Sequence, residues 1–221
     1  KAKNYRQNFR RAIAEAMLGQ GVIVGEGITE QDALLVAAQK MEDGNPELFQ
    51  LDVAGVSVIN ADGDGNLEKL GAFFKEIGVP AFAFFDRKKR TADDIAALQG
   101  LYVVAREISQ KGAEALLAQE VPLDRQWQYL DALRKDDGDG HFGIPPARPA
   151  DDAVRALTVS TLKGLKGDGG AARLLESCAV GELPATITAF LNEIYQRYPK
   201  PKRKQVAAEA AAPTAGAAAG S

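Results

Sequence analysis

Hydrophobic positions in the first half of the chain switch repeatedly between two periods. Val22, Ile23 and Val24 form a short β-branched run of the kind that fills a buried parallel strand, and the run stops at Gly25. Within a few residues the apolar positions Ala33, Leu34, Val36 and Ala37 recur at helical spacing, with Thr29 as the predicted N-cap. The alternation then returns. A second strand over 53–59 ends in NADGDGN, and a helix with Leu67, Leu70, Phe73, Phe74 and Ile77 is closed by Gly78. Pro80 opens AFAFFD as a third strand, Thr91 caps a short helix carrying Ile95 and Leu98, and 101–104 reads as a fourth strand. Upstream, Phe9, Ala12, Ile13, Ala16 and Met17 predict an amphipathic helix over 5–18, ended by Gly19 and Gly21. From Gly112 onward only the helical period persists, broken by Pro, Gly and Asp clusters, with Trp127, Tyr129, Leu130 and Leu133 as core positions. The prediction is an α/β fold: a mostly parallel sheet with strands near 22–25, 54–59, 81–85 and 101–104, flanked by helices and followed by a helical layer. The expected organisation is a core with its leading helix over 1–110, a helical subdomain over 111–198, and a disordered Ala/Pro/Gly-rich tail over 199–221.

Composition narrows the chemistry. Cys178 is the only cysteine and His141 the only histidine of the 221 residues, which excludes an intramolecular disulfide framework, a zinc ligand cluster and any serine triad not built on His141. His141 sits in DDGDGHFGIPPARP and reads as a solvated loop residue. A net charge of −3 differs from the basic footprint of a nonspecific nucleic-acid binder, yet the charge is uneven. Arg87, Lys88, Lys89 and Arg90 form a run in the middle of the chain, and Lys163, Lys166 and Lys200 to Lys204 come late, so a basic path beside an acidic site is one reading and solvated faces the other. No apolar run approaches the ~20 residues that span a bilayer, and the opening stretch has no signal-peptide core, so a soluble, cytoplasmic location is expected.

The acidic residues that matter stand where strands end. Glu26 lies between Gly25 and Gly27 at the end of the first strand, Glu30 is one helical turn further on, and Asp86 ends the third strand. Open parallel sheets place ligand chemistry in crevices at strand carboxyl ends, so the three converge if their strands are neighbours. Carboxylates brought together repel unless a positive group sits between them, and a divalent cation that prefers oxygen ligands is the natural partner. Asp62 and Asp64 occupy the glycine-rich end of the second strand, where metal-facing carboxylates and simple Asx turns are both compatible with the pattern. An N-capped helix with surface glutamates accounts for the Glu26 region equally well.

VIVGEGITE leading into a helix, with AFAFFD ending a later strand, resembles a Toprim domain, the metal-binding fold shared by topoisomerases, primases and some nucleases. More narrowly, EGITEQDAL, GVSVIN, GAEALLAQEVP, LKGLKGDGGAARLLES and ELPATITAFL resemble the carboxyl-terminal region of class 2 OLD-family nucleases. The resemblance implies a two-metal DNA endonuclease or nickase using Mg²⁺ or Mn²⁺, with Ca²⁺ able to occupy the site without full activity. It also implies an N-terminal ATPase domain in the full-length protein, of which this chain would be the nuclease half. By position, Glu26, Glu30 and Asp86 become metal ligands, Glu114 supplies a later carboxylate, and Lys166 faces the scissile phosphate. Arg87, Lys89, Arg90 and Lys163 would hold flanking phosphates by charge. One departure stands out. Toprim domains usually read Asp-x-Asp after the later strand, whereas this chain reads Asp86-Arg87-Lys88; Asp62, Asp64 or Glu114 would then fill the missing ligand, or Lys88 would touch substrate phosphate. The alternatives are another Toprim chemistry, of the primase or topoisomerase kind, and a non-catalytic α/β nucleotide- or metal-binding module. Strand passage needs a nucleophilic tyrosine, and Tyr102, Tyr129, Tyr195 and Tyr198 lie in strand or helix patterns without such a context.

Overall fold

A computed structural model describes residues 11–88, 90–136, 140 and 142–201. Lys89, His141, the start of the 5–18 helix and the tail from 202 onward lie outside the described residues.

The β-branched and aromatic runs pair as a four-stranded parallel sheet: β1 (Gly21–Gly25), β2 (Val56–Asn60), β3 (Ala81–Phe85) and β4 (Val104–Glu107), in the order β2-β1-β3-β4. β1 and β3 are buried throughout because both of their faces are covered. Val22, Val24, Ala81, Ala83 and Phe85 face helices α2 (Asp64–Glu76) and α3 (Ala92–Leu101), together with Ala16 of the helical stretch 11–17. Ile23, Phe82 and Phe84 face the other way, onto α1 (Ile28–Gly44) and the helices of the second half. The chain leaves β1 for β2 on one side and then crosses to β3 on the other. The strand order therefore reverses between β1 and β3, the place where ligand crevices form in such sheets. Right-handed crossovers account for α1 lying on one face and α2 and α3 on the opposite one.

The second half is helical: α4 (Ala113–Glu120), α5 (Leu123–Asp136), α6 (Asp151–Gly164), α7 (Gly170–Glu176) and α8 (Ala185–Tyr195). Leu116, Leu117, Leu130, Val154, Leu174, Leu175, Phe190 and Ile194 share one core with α1 and the sheet, so the helical layer has no interior of its own. Tyr129, Leu130 and Leu133 are buried in that core and Trp127 packs against it.

Three local expectations shift. β2 begins at Val56 because 51–55 form turns, with Gly55 at φ +74 and Val56 N donating to Leu51 O at 2.7 Å. β4 begins at Val104, three residues later than predicted, because Leu101 still belongs to α3 and Tyr102 N closes that helix on Leu98 O at 3.0 Å. Thr29 does not cap α1. The N-cap is Gly27, whose N–H donates to Glu30 Oε2 at 3.1 Å, and the Thr29 hydroxyl is spent on Glu114 instead. Thr91 caps α3 as predicted, accepting from Asp94 N at 3.2 Å. Gly78, at φ +76, ends α2 in a Schellman turn, with its own N–H on Lys75 O and that of Val79 on Phe74 O.

Candidate metal centre

Glu26 is the first residue past β1, and strand β3 on one side and the loop after β2 on the other fix its backbone. Its N–H donates to Phe84 O at 3.1 Å, and its carbonyl accepts from Gly63 N at 2.9 Å. Its side chain then lies at the β1/β3 switch point, where Asp86 N donates to Glu26 Oε2 at 3.3 Å. The residues on either side of Asp86 are held, since Ile108 N donates to Phe85 O and Arg87 N to Gln110 O, and the Asp86 carbonyl accepts from Arg90. Gly25 is needed for Glu30 to approach: a Cβ there would stand 3.0 Å from Glu30 Cβ and 3.2 Å from Gln31 N.

The helical layer completes the site. Gly112, at φ +104, starts α4 and turns Glu114 inward, where Glu114 Oε1 accepts from the Thr29 hydroxyl at 2.8 Å. The loop after α6 places Lys166 Nζ 3.9 Å from the same oxygen. Glu26, Glu30, Asp86, Glu114 and Lys166 thus line one cavity of about 610 Å³, with Asn60 and Asp62 on its wall. A second hollow of about 440 Å³ lies between α1 and the β2 edge, with Glu15, Glu42 and Asp52 among its lining.

Glu26, Glu30 and Glu114 are all buried, so the cavity gathers negative charge away from water. Burial, with the Glu26 carboxylate beside it, pushes Asp86 up to about 7. Burial likewise raises Glu30, and the Glu114 and Glu26 carboxylates add to the effect. Asp86 Oδ1 is buried without a hydrogen-bond partner. Such an orphaned oxygen among converging carboxylates is the donor set that a hard divalent cation satisfies, and in that respect the residues fit one. As the side chains stand, no three acidic, histidine or cysteine groups among the described residues close around a point that would hold an ion. Lys88 is ion-paired with Glu26 Oε1 and lies 3.7 Å from Asp86 Oδ1, while Arg90 lies 3.6 Å from Glu26 Oε2.

The remaining predicted residues separate by position. Asp62 is in the left-handed region at φ +58, its N–H taken by Asn60 Oδ1 in an Asx turn, and it lines the cavity from an exposed loop. Asp64 points elsewhere, into an ion pair with Arg90. Arg90 differs most from the expectation of a phosphate contact. Its side chain is 7% exposed, and the guanidinium lies 4.7 Å over the Phe85 ring, donates to Asp86 O at 2.8 Å and reaches Glu26, Asp64 and Glu107. Arg87 and Lys163 are exposed, and Lys88 is turned to the acidic cluster. Reading the sequence alone missed Thr29 as the anchor of Glu114. A threonine one residue before an inward glutamate carries no separate signal for a partner 85 positions away.

Residues 17–87 match the family model described as "Overcoming lysogenization defect protein-like, TOPRIM domain". No curated protein matches the sequence. Among solved structures, the C-terminal region of the Xanthomonas campestris pv. campestris OLD protein superposes with a TM-score of 0.57 at 16% identity, covering 83% of this chain and 96% of that one. The C-terminal region of the Burkholderia pseudomallei OLD protein gives 0.52 at 16% identity, covering 82% of this chain and 99% of that one. Residues 17–87 thus match an OLD-like TOPRIM domain, and the chain shares its fold with the C-terminal regions of OLD proteins.

Proposed function

We propose that this chain is the nuclease part of a larger ATPase-nuclease and hydrolyses DNA phosphodiester bonds with Mg²⁺ or Mn²⁺. The observation that carries the reading is the gathering of Glu26, Glu30, Asp86 and Glu114 around one cavity with Lys166 beside it. Glu26, Glu30, Asp86 and Glu114 would hold the cation, which supplies Lewis-acid stabilisation of the phosphate and lowers the pKa of an attacking water. The chain's own residues do the rest. Backbone hydrogen bonds at Glu26, and at Phe85 and Arg87 on either side of Asp86, fix the two strand-end carboxylates, so little reorganisation is needed when substrate arrives. Thr29 holds Glu114 at the opposite wall. Lys166, 53% exposed at its side chain, can leave Glu114 for a phosphate oxygen and offset charge that builds there. Exposed Arg87 and Lys163 add phosphate attraction that reads no base.

The test is cleavage of supercoiled plasmid by the purified chain. Nicked or linear product should accumulate with Mg²⁺ or Mn²⁺ and vanish with EDTA. Cleavage that survives EDTA, or none with either ion, would reject the assignment.

A further inference from the structure

We propose that Arg90 is a positioning residue of the centre: its guanidinium holds the Glu26 carboxylate and the main chain of Asp86 in the places from which they act on a cation. The inference rests on the cavity being a metal centre, as proposed above. Arg90 is anchored outside the cavity. Its guanidinium lies 4.7 Å over the Phe85 ring, is ion-paired with Asp64 at the start of α2 and lies 3.5 Å from Glu107 at the end of β4, and these three do not line the cavity. The next residue, Thr91, caps α3, which fixes the backbone from which the side chain departs. From that seat the guanidinium donates to the Asp86 carbonyl at 2.8 Å and lies 3.6 Å from Glu26 Oε2. It thereby ties the ends of β1, β3 and β4 to the start of α2, a span suited to a planar fork of donors and not to the point charge of an ammonium.

The two oxygens of Glu26 have different surroundings. Oε2 accepts from Asp86 N at 3.3 Å and faces Arg90, whereas Oε1 is paired with Lys88, which also lies 3.7 Å from Asp86 Oδ1. Holding Oε2 therefore leaves Oε1 on the side of Asp86 Oδ1, the buried oxygen that has no hydrogen-bond partner. Lys88, 38% exposed, can swing into solvent, and Arg90, 7% exposed and held from outside the cavity, cannot. Charge and position predict opposite results for Arg90. A positive charge this close to a carboxylate opposes the binding of a cation there, so by Coulomb interaction alone its removal would tighten Mn²⁺ binding. Losing a residue that orients metal ligands instead weakens binding, by about 10–100-fold.

The test measures Mn²⁺ affinity by equilibrium dialysis and calorimetry on the whole chain, at a temperature where melting in EDTA shows the proteins to be folded. Arg90→Ala, and Arg90→Lys, which keeps the charge and loses the fork, should both bind Mn²⁺ at least about tenfold more weakly than the wild type. At saturating Mn²⁺ both should lower kcat for plasmid cleavage and leave KM near the wild-type value, because the exposed phosphate contacts are untouched. Arg90→Lys carries the test where Arg90→Ala does not fold. Mn²⁺ bound by either folded variant as tightly as by the wild type, or more tightly, would overturn the positioning role while leaving the nuclease reading intact. No Mn²⁺ bound by the wild type would remove the metal reading itself, and this inference with it.

Discussion

Asp86 shows how one residue couples the site to pH. Its folded pKa of about 7 lies above the ordinary carboxyl value, first through burial and then through Glu26. Between about 4 and about 7 the metal-free folded chain therefore holds a proton that the unfolded chain has released. The contribution is favourable on the acid side of that window and is lost as pH rises through it. Melting in EDTA should fall from pH 5 to pH 8, and Asp86→Asn should flatten the slope. A cation competes with the same proton, so Mn²⁺ affinity should climb over the same interval. Arg90 yields a second prediction. Its guanidinium is enclosed by Glu26, Asp64, Glu107 and the Phe85 ring, and removing it leaves carboxylates facing one another. Arg90→Ala should lower unfolding stability in urea by about 2–3 kcal/mol, less than a fully buried pair because Asp64 and Glu107 keep some water. Its salt dependence of DNA binding should match wild type, whereas Arg87→Ala, exposed and next to the site, should flatten that slope by about one unit.

At the scale of elements, the switch of hydrophobic period located the strands, and with them the strand-end positions of Glu26 and Asp86. Val22 to Val24 and Ala81 to Phe85 are buried on both faces, and that is why they read as unbroken apolar runs. β4 was harder to read because it is a half-buried edge strand whose Ala105, Arg106 and Glu107 carry little strand preference. The neighbours of each carboxylate were not legible. Thr29 meets Glu114, and Arg90 turns inward, through contacts between segments that no local pattern records. The junction of β1 and α1 is tightest at Gly25, where an added methyl meets the first turn of α1. Gly25→Ala should cost about 1–3 kcal/mol of stability and weaken Mn²⁺ binding, because it pushes Glu30 away from Glu26. A variant with wild-type melting and wild-type Mn²⁺ affinity would show that the α1 start tolerates displacement.

Across the whole molecule, two covered sheet faces and a shared core bring distant parts of the chain to one cavity. The first half supplies Glu26, Glu30 and Asp86 at the reversal of strand order, and the helical layer supplies Glu114 and Lys166. Among the described residues no helix is long and apolar enough to cross a membrane. The central claim is that this cavity hydrolyses DNA with a divalent ion. The most direct measurement compares plasmid cleavage in Mn²⁺ by the wild type and by Glu30→Gln, a near-isosteric change that removes one charge from the cluster. The account predicts product from the wild type, at least 10²-fold less from Glu30→Gln, and similar melting of the two proteins in EDTA. Equal cleavage by the two would contradict it.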